Sequence, residues 1–261
     1  MELRKWIHVM SFVVFDIETG PLPLERLKEI HPGFDRSSIK HPGEFDPSSV
    51  KCGNIGGPTS EKGLAKIAEA RAAHDKEVAN FQSSVEQAEA TYWLGIESRA
   101  ALSAASGVVL AIGYKSENAN VIEHIDDLGE RALLLRFWNK FEQLRKQDRQ
   151  LIGFNSREFD VPFLAQRSIV NEIRPPRTLL QNDRYLDKTF VDLRDKWSFG
   201  SKPAGSLDLI CKACGLPGKP DGISGAHFSE LYRNPETRQE AIDYLANDLE
   251  ITFQLAEMLI G

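Results

Sequence analysis

Apolar runs and polar breaks alternate along this chain, and the changes of period lay out its elements. Residues 12–15, Phe-Val-Val-Phe, form a short unbroken apolar run. Strands buried on both faces read this way, so a strand is predicted over about 11–17. Residues 107–115 and 119–125 read as two more strands, joined as a hairpin. A fourth strand follows at 151–155 and a late one near 189–193. Between the fourth strand and the hairpin the spacing turns helical. From Asp127 to Lys146, Leu133, Leu134, Phe137, Trp138, Phe141 and Leu144 fall on one side. A helix is also predicted over 161–170, where Pro162 suits a first helical turn. After a loop rich in Pro and Arg, helices near 206–214, 226–233 and 235–260 close the chain. Mixed strands followed by crossover helices predict an α/β layered fold.

Residues 31–104 break this rhythm and read as an insertion. Its first half is rich in Gly, Pro and Ser, and His31-Pro32-Gly33 is echoed by His41-Pro42-Gly43. The echo is too short to define a repeat, and both histidines read as loop residues. From Ser60 to about Arg99 the composition is Ala, Glu and Lys with almost no β-branched residues. That predicts one long helix or a helical hairpin. Its apolar positions are mostly small alanines. The segment is then a solvated excursion, a clamp over substrate or a docking surface.

Polar residues interrupt the apolar pattern at three places. Asp16 and Glu18 follow the first apolar run in Phe15-Asp16-Ile17-Glu18-Thr19-Gly20. Side chains alternate along a strand, so the two carboxylates point to one side. They sit where the strand ends, the position at which open α/β sheets bind ligands. Asn155-Ser156-Arg157-Glu158-Phe159-Asp160 follows the strand at 151. Asp160 lies near a helix N-terminus, where it either caps the helix or takes part in chemistry. In the last helix, Asp243, Asn247, Glu250, Gln254 and Glu257 share the solvated arc. Asp248 instead falls in the apolar arc with Tyr244 one turn before it. A carboxylate on a core-facing stripe needs a partner, a hydrogen-bond network or a metal. Four converging carboxylates would repel one another and take up protons. Hard divalent cations, magnesium or manganese, relieve that conflict.

The three motifs, in this order, resemble the DEDD superfamily of 3′–5′ exonucleases, which have a ribonuclease-H-like fold. A tyrosine four residues before the last aspartate resembles the DEDDy branch. The Asn-x-x-x-Phe-Asp form of the middle motif looks like the proofreading domain of family B DNA polymerases. Val191-Asp192-Leu193, Ser206-Leu207-Asp208 and Gly215-Leu216-Pro217-Gly218-Lys219-Pro220 add matches to a stand-alone group of predicted exonucleases related to that domain. The resemblance covers residues 11–22 and about 105–261. It implies a single exonuclease domain over 1–261, with a ribonuclease-H-like mixed sheet flanked by helices and a largely helical insertion after the first strand.

The resemblance also implies a mechanism. Asp16, Glu18, Asp160 and Asp248 would hold two magnesium or manganese ions about 4 Å apart, one activating a water and the other stabilising the leaving 3′ oxygen. Tyr244 would hold and help deprotonate that water, although a phenol near pKa 10 orients more readily than it abstracts. Thr19 and Gly20 would approach the terminal nucleotide through backbone atoms. Asn155 and Phe159 would contact the penultimate part of the strand, Phe159 by stacking. The expected substrate is a single-stranded DNA 3′ end and the expected products are nucleoside 5′-monophosphates, with a replication or repair partner. Two alternatives stay open: a 3′–5′ exoribonuclease, and a module that grips a 3′ end or docks a polymerase subunit without cutting.

Composition refines this picture. With 261 residues, 41% hydrophobic and 27% charged, the chain suits one substantial core. No apolar stretch reaches the roughly 20 residues needed to span a bilayer, and Met1–Lys5 begins no long apolar segment. A cytoplasmic protein without a membrane partner is expected. Three cysteines suggest no disulfide framework. Cys211 and Cys214 have zinc-like spacing but lack a second pair, and read as core cysteines. There is no Walker phosphate loop, GxSxG elbow or HExxH motif. A net charge of −6 does not suit a protein that coats nucleic acid. The stretch from Arg167 to Lys202 nevertheless gathers Arg174, Arg177, Arg184, Lys188, Arg194, Lys196 and Lys202. It either lines a strand-binding groove through phosphate contacts or is a solvated loop face.

Overall fold

Strand alternation organises the molecule around its first element. The computed structural model describes residues 12–180, 188–201, 205–219 and 225–261. In chain order the elements begin with β1 (Phe12–Pro21), α1 (Leu24–Ile30), α2 (Glu61–Ala100), β2 (Gly107–Ser116) and β3 (Ala119–His124). They continue with α3 (Ile125–Leu128), α4 (Glu130–Lys146), β4 (Gln150–Gly153), α5 (Asp160–Val170) and α6 (Arg177–Leu180). The last are β5 (Phe190–Asp192), α7 (Leu193–Ser198), α8 (Leu207–Ala213), α9 (Gly225–Arg233) and α10 (Arg238–Ile260). The strands form a sheet in the order β3-β2-β1-β4-β5, with β1 at its centre. β1 pairs antiparallel with β2 and parallel with β4. The β4–β5 pairing is also parallel.

Each face of the sheet buries its own core. Phe12 and Val14 of β1 join Val108, Leu110, Ile152 and Val191 against α8, α9 and α10. The intervening Val13, Phe15 and Ile17 pack with Val109, Ile112, Leu151 and Phe190 against α4 and α5. Aromatic rings thicken this second layer, with Phe141 stacked on Phe190 at 4.7 Å. A buried ion pair ties it together. Arg167 Nη2 donates to Glu130 at 2.6 Å, and Glu130 also accepts the Val109 N–H at 2.9 Å. Removing either partner would strand a buried charge, which costs about 3–5 kcal/mol.

Two compact units divide the chain: Met1–Leu22 with Arg99–Gly261, and Pro23–Ser98. All five strands belong to the first. The second is built on α2, a single 40-residue helix rather than a hairpin, and the preceding segment explains how so polar a helix is covered. Lys28 lies over Trp93, Phe34 packs on Tyr92 and Arg36 pairs with Glu89. Farther along, His41 meets Phe81 and Phe45 meets His74. Residue numbers rise on one side as they fall on the other, so residues 28–45 run antiparallel along the helix as a strap. The sequence echo extends into this structure. Asp35 and Asp46 each accept N–H bonds two residues on, from Ser37 and Ser48, and each opens a short 3₁₀ turn.

The predicted strands and long helices recur with ends moved by a few residues. The short helices α1, α3, α6 and α7 are not predicted as separate elements, because pieces this short carry too little periodicity to read. Cys211 is fully buried and Cys214 partly so, and both are free thiols. Among the described residues no helix is long and apolar enough to cross a membrane. Met1–Lys5, residue 11, Arg184, Lys202 and Pro220, used in the sequence reading, lie outside the described residues.

The ends of the second unit open from neighbouring stretches of the first. The Leu22 N–H donates to the Ser106 carbonyl at 2.9 Å, and Thr19 Oγ1 donates to the Ala101 carbonyl at 2.7 Å. We therefore expect that replacing Pro23–Ser98 by a short Gly/Ser linker leaves the sheet-bearing unit folded. The check is cooperative thermal unfolding with reduced helical circular dichroism. Loss of cooperative unfolding would show that the two units fold only together.

Candidate metal centre and active-site cleft

The alternation that sends Val13 and Phe15 to one face sends Asp16 and Glu18 to the other, under α10. Opposite Asp16 on β2 stands Gly113. A Cβ there would overlap Leu249 of α10, so the glycine lets the helix lie close on the sheet. α10 then places Asp248, 3% exposed, beside the end of β1. One carboxylate oxygen from each of Asp16, Glu18 and Asp248 lies within 4.8 Å of the others. Asp160 stands immediately behind. It opens α5, and its Oδ1 accepts the Ile17 N–H at 3.3 Å, between the two β1 carboxylates. Asp16, Glu18, Asp248 and Tyr244 form the acidic end of a cleft of about 740 Å³, and Asp160 lies behind its lining.

Burial dominates the electrostatics. Desolvation, reinforced by neighbouring carboxylates, holds the Asp16 and Glu18 pKa values well above the usual range. Desolvation also raises Asp248, and lifts Asp160 to about 7. The Oδ1 of Asp248 is buried with no partner among the described residues. A hard divalent ion fits these observations. It would neutralise the cluster, it prefers oxygen donors, and the orphaned Asp248 oxygen would serve as one.

The sequence reading did not assign Lys219 to the site. Its ammonium donates to Asp248 Oδ2 and, at 2.9 Å, to Tyr244 Oη. It also lies 5.0 Å from the Tyr244 ring centroid. The loop before it is anchored to α8, where the Lys219 N–H donates to Asp208 Oδ1 at 2.8 Å. Burial opposes its charge, but Asp248 and Tyr244 hold its pKa above the ordinary lysine value. Lys219 sits in a short Gly- and Pro-rich loop with no periodicity, so only folding reveals its partners. Tyr244 is itself pushed up to about 12, mainly by desolvation and then by Asp248. At neutral pH its phenol keeps its proton.

Asn155 lines the cleft, and Phe154, also unanticipated, lines it too. Asn155 has φ 60°, a left-handed conformation uncommon outside glycine. Asp192 holds it there. Its carboxylate accepts the N–H groups of Asn155, Arg157 and Arg194, each at 2.9 Å. Thr19, Gly20 and Phe159, expected to contact the strand, are not among the residues that line the cleft. Thr19 is buried and its hydroxyl is committed to Ala101. Gly20 faces α9, where a Cβ would come within 2.6 Å of Ser229 Oγ. Phe159 packs on Phe163 with ring centroids 5.5 Å apart. Three described members of the basic stretch have different settings. Arg167 is buried in its ion pair and Lys188 pairs with Asp148 outside the cleft, whereas Arg194 lines the cleft wall.

Central strand, acidic cleft and flanking helices define a ribonuclease-H-like α/β protein. A family B DNA polymerase from the hyperthermophilic archaeon Pyrobaculum calidifontis shares this fold, with a TM-score of 0.51 and 19% identity. The similarity covers 62% of this chain but only 23% of the polymerase chain. The chain belongs to the family described as predicted 3′–5′ exonucleases related to the exonuclease domain of PolB, whose model matches residues 101–255. That span contains Asp160, Lys219, Tyr244 and Asp248, while Asp16 and Glu18 precede it. No curated protein matches the chain.

The buried carboxylates generate a pH prediction. The folded pKa of Asp160, about 7, exceeds an unfolded value near 3.9. Such a group contributes stability that is full below the unfolded pKa and lost as pH rises through the folded one. In EDTA the melting temperature should therefore fall between about pH 4 and 7, and the fall should be shallower in Asp160→Asn. Manganese should raise the melting temperature most at the upper end of that window. A wild-type melting temperature that is flat or rising there in EDTA would refute this account.

Proposed function

We propose that the protein is a metal-dependent 3′–5′ exonuclease that hydrolyses single-stranded DNA ends to nucleoside 5′-monophosphates. The convergence of Asp16, Glu18 and Asp248 oxygens within 4.8 Å, beside Tyr244 in a chain of this family, carries the proposal. Asp16, Glu18 and Asp248 would hold magnesium or manganese, with Asp160 completing the carboxylate set behind them. When bound, the metal supplies charge neutralisation, an activated water and stabilisation of the departing 3′ oxygen.

The chain's own groups do the remaining work. Tyr244 Oη, still protonated and fixed between Lys219 and Asp248, orients the attacking water by hydrogen bonding rather than by taking its proton. Lys219 balances the charge of Asp248 and keeps the phenol in place. Asn155 presents its amide to the strand near the 3′ end. On this reading a single flexible strand enters the cleft. The nucleic acid, and any replication or repair partner, belong to this proposal.

The test is digestion of 5′-labelled single-stranded DNA and RNA with magnesium, with manganese and with EDTA. The expected result is a ladder from the 3′ end of the DNA, abolished by EDTA. Asp16→Ala or Asp248→Ala should reduce cleavage by at least about 10³-fold, in line with loss of metal-centred stabilisation, while remaining folded. Relief of like-charge crowding should make either variant at least as heat-stable as wild type in EDTA. Cleavage of a closed circle, full activity in EDTA or unfolded variants would overturn the proposal. Preference for RNA would move the substrate from DNA to RNA.

A further inference from the structure

The cleft must accept a polyanion although its floor is acidic. Asp16, Glu18, Asp208 and Asp248 all line it, and among the described residues only Lys219 and Arg194 line it with positive charge. Lys219 is committed to Asp248 and Tyr244. Arg194 has a different setting. It lies on the Asn155 wall, where its Nη1 donates to Asn155 Oδ1 at 2.6 Å. It also pairs with Glu158, whose carboxylate is 3.7 Å away on a side chain 71% exposed. Its Nε is shielded from solvent and has no partner among the described residues. A guanidinium carries five donors in a planar fork suited to phosphate oxygens, and here at least one donor is unused.

We infer that Arg194 is a phosphate-binding residue for the nucleic-acid strand, gripping a phosphodiester one or more linkages inward from the scissile one. This rests on the exonuclease reading of the cleft. Its backbone supports the role. The Arg194 N–H and the Asn155 N–H both bind Asp192, so one buried carboxylate holds the two backbones beside each other. The side chain is 36% exposed and can turn toward an incoming strand without breaking that anchor. A phosphate oxygen would satisfy the unpaired Nε and supply the charge that Asn155, a neutral acceptor, does not. Among the described residues Arg194 pairs with Asn155 and Glu158 rather than with Asp16, Glu18 or Asp248, so its contribution is to hold the strand rather than to drive the chemistry.

The experiment measures binding of a fluorescent single-stranded oligonucleotide in EDTA by anisotropy, with cleavage kinetics in magnesium alongside. A scan places one uncharged methylphosphonate at each of the first few linkages inside the 3′ end. Loss of a charge-assisted contact should weaken binding by Arg194→Gln about tenfold or more. It should also flatten the slope of log K against log salt by about 0.7, one single-strand phosphate contact. In cleavage, KM should rise while kcat holds. At one linkage the methylphosphonate should weaken wild type and leave Arg194→Gln unchanged, with Arg194→Lys between them. If Arg194→Gln stays folded and cuts, but keeps the wild-type salt slope and full methylphosphonate sensitivity, Arg194 only positions Asn155 and this inference falls alone. If wild type neither binds nor cuts any strand, the exonuclease reading falls and takes this inference with it.

Discussion

The structure depends on the burial of mutually repelling carboxylates at the end of its central strand. Asp16 and Glu18 cannot turn away, because β1 is paired with β2 along this stretch and its alternate residues are locked in the opposite core. Asp248 cannot turn away either, because Leu245 and Leu249 fix the rotation of α10. The acids are therefore held together by the packing of apolar neighbours, and their raised pKa values record the opposition between the two. Lys219 offsets part of that opposition from a loop and leaves one Asp248 oxygen unpaired. A site of this kind is poised to take up cations because its own charges are only partly balanced.

A second buried carboxylate, Asp192, plays a quieter part at the end of the neighbouring parallel strands. Its three backbone hydrogen bonds hold Asn155 in an otherwise unfavourable conformation and cap α7 through Arg194. Strained backbone at a functional site persists only when its surroundings over-determine it, and Asp192 supplies that determination. The acidic floor and the wall of the cleft are thus built by different means. The floor is set by side-chain parity on the sheet, the wall by a hydrogen-bond hub beyond it.

The unit Pro23–Ser98 shows another solution to a composition problem. A 40-residue helix whose apolar positions are mainly alanine has little surface to bury. The strap along it supplies aromatic and charged contacts at several levels, from Trp93 back to His74. Two copies of a short turn, at Asp35 and Asp46, repeat as the strap runs along the helix.

The sequence by itself determined the order and type of the long elements, because hydrophobic period is a local property that survives without tertiary information. It also determined that Asp16 and Glu18 share a side, that Asp248 and Tyr244 face the core, and that hard cations suit such a set. Parity and helical arc suffice for those statements. Tertiary structure decided which of the candidates meet. Thr19 and Gly20 follow the acidic motif, and after a bulge in pairing between Glu18 and Thr19 the Thr19 hydroxyl binds Ala101 and Gly20 packs closely on α9. Phe159 precedes Asp160, yet the start of α5 turns it toward Phe163. Lys219 and Arg194 enter the site through contacts 25 to 39 residues away in sequence. They reach it from a short loop and a six-residue helix, segments too brief for periodicity to orient. Nor does any local pattern tell a lysine that balances an aspartate from one that faces water. That difference arises only when separate elements are brought together and water is excluded between them.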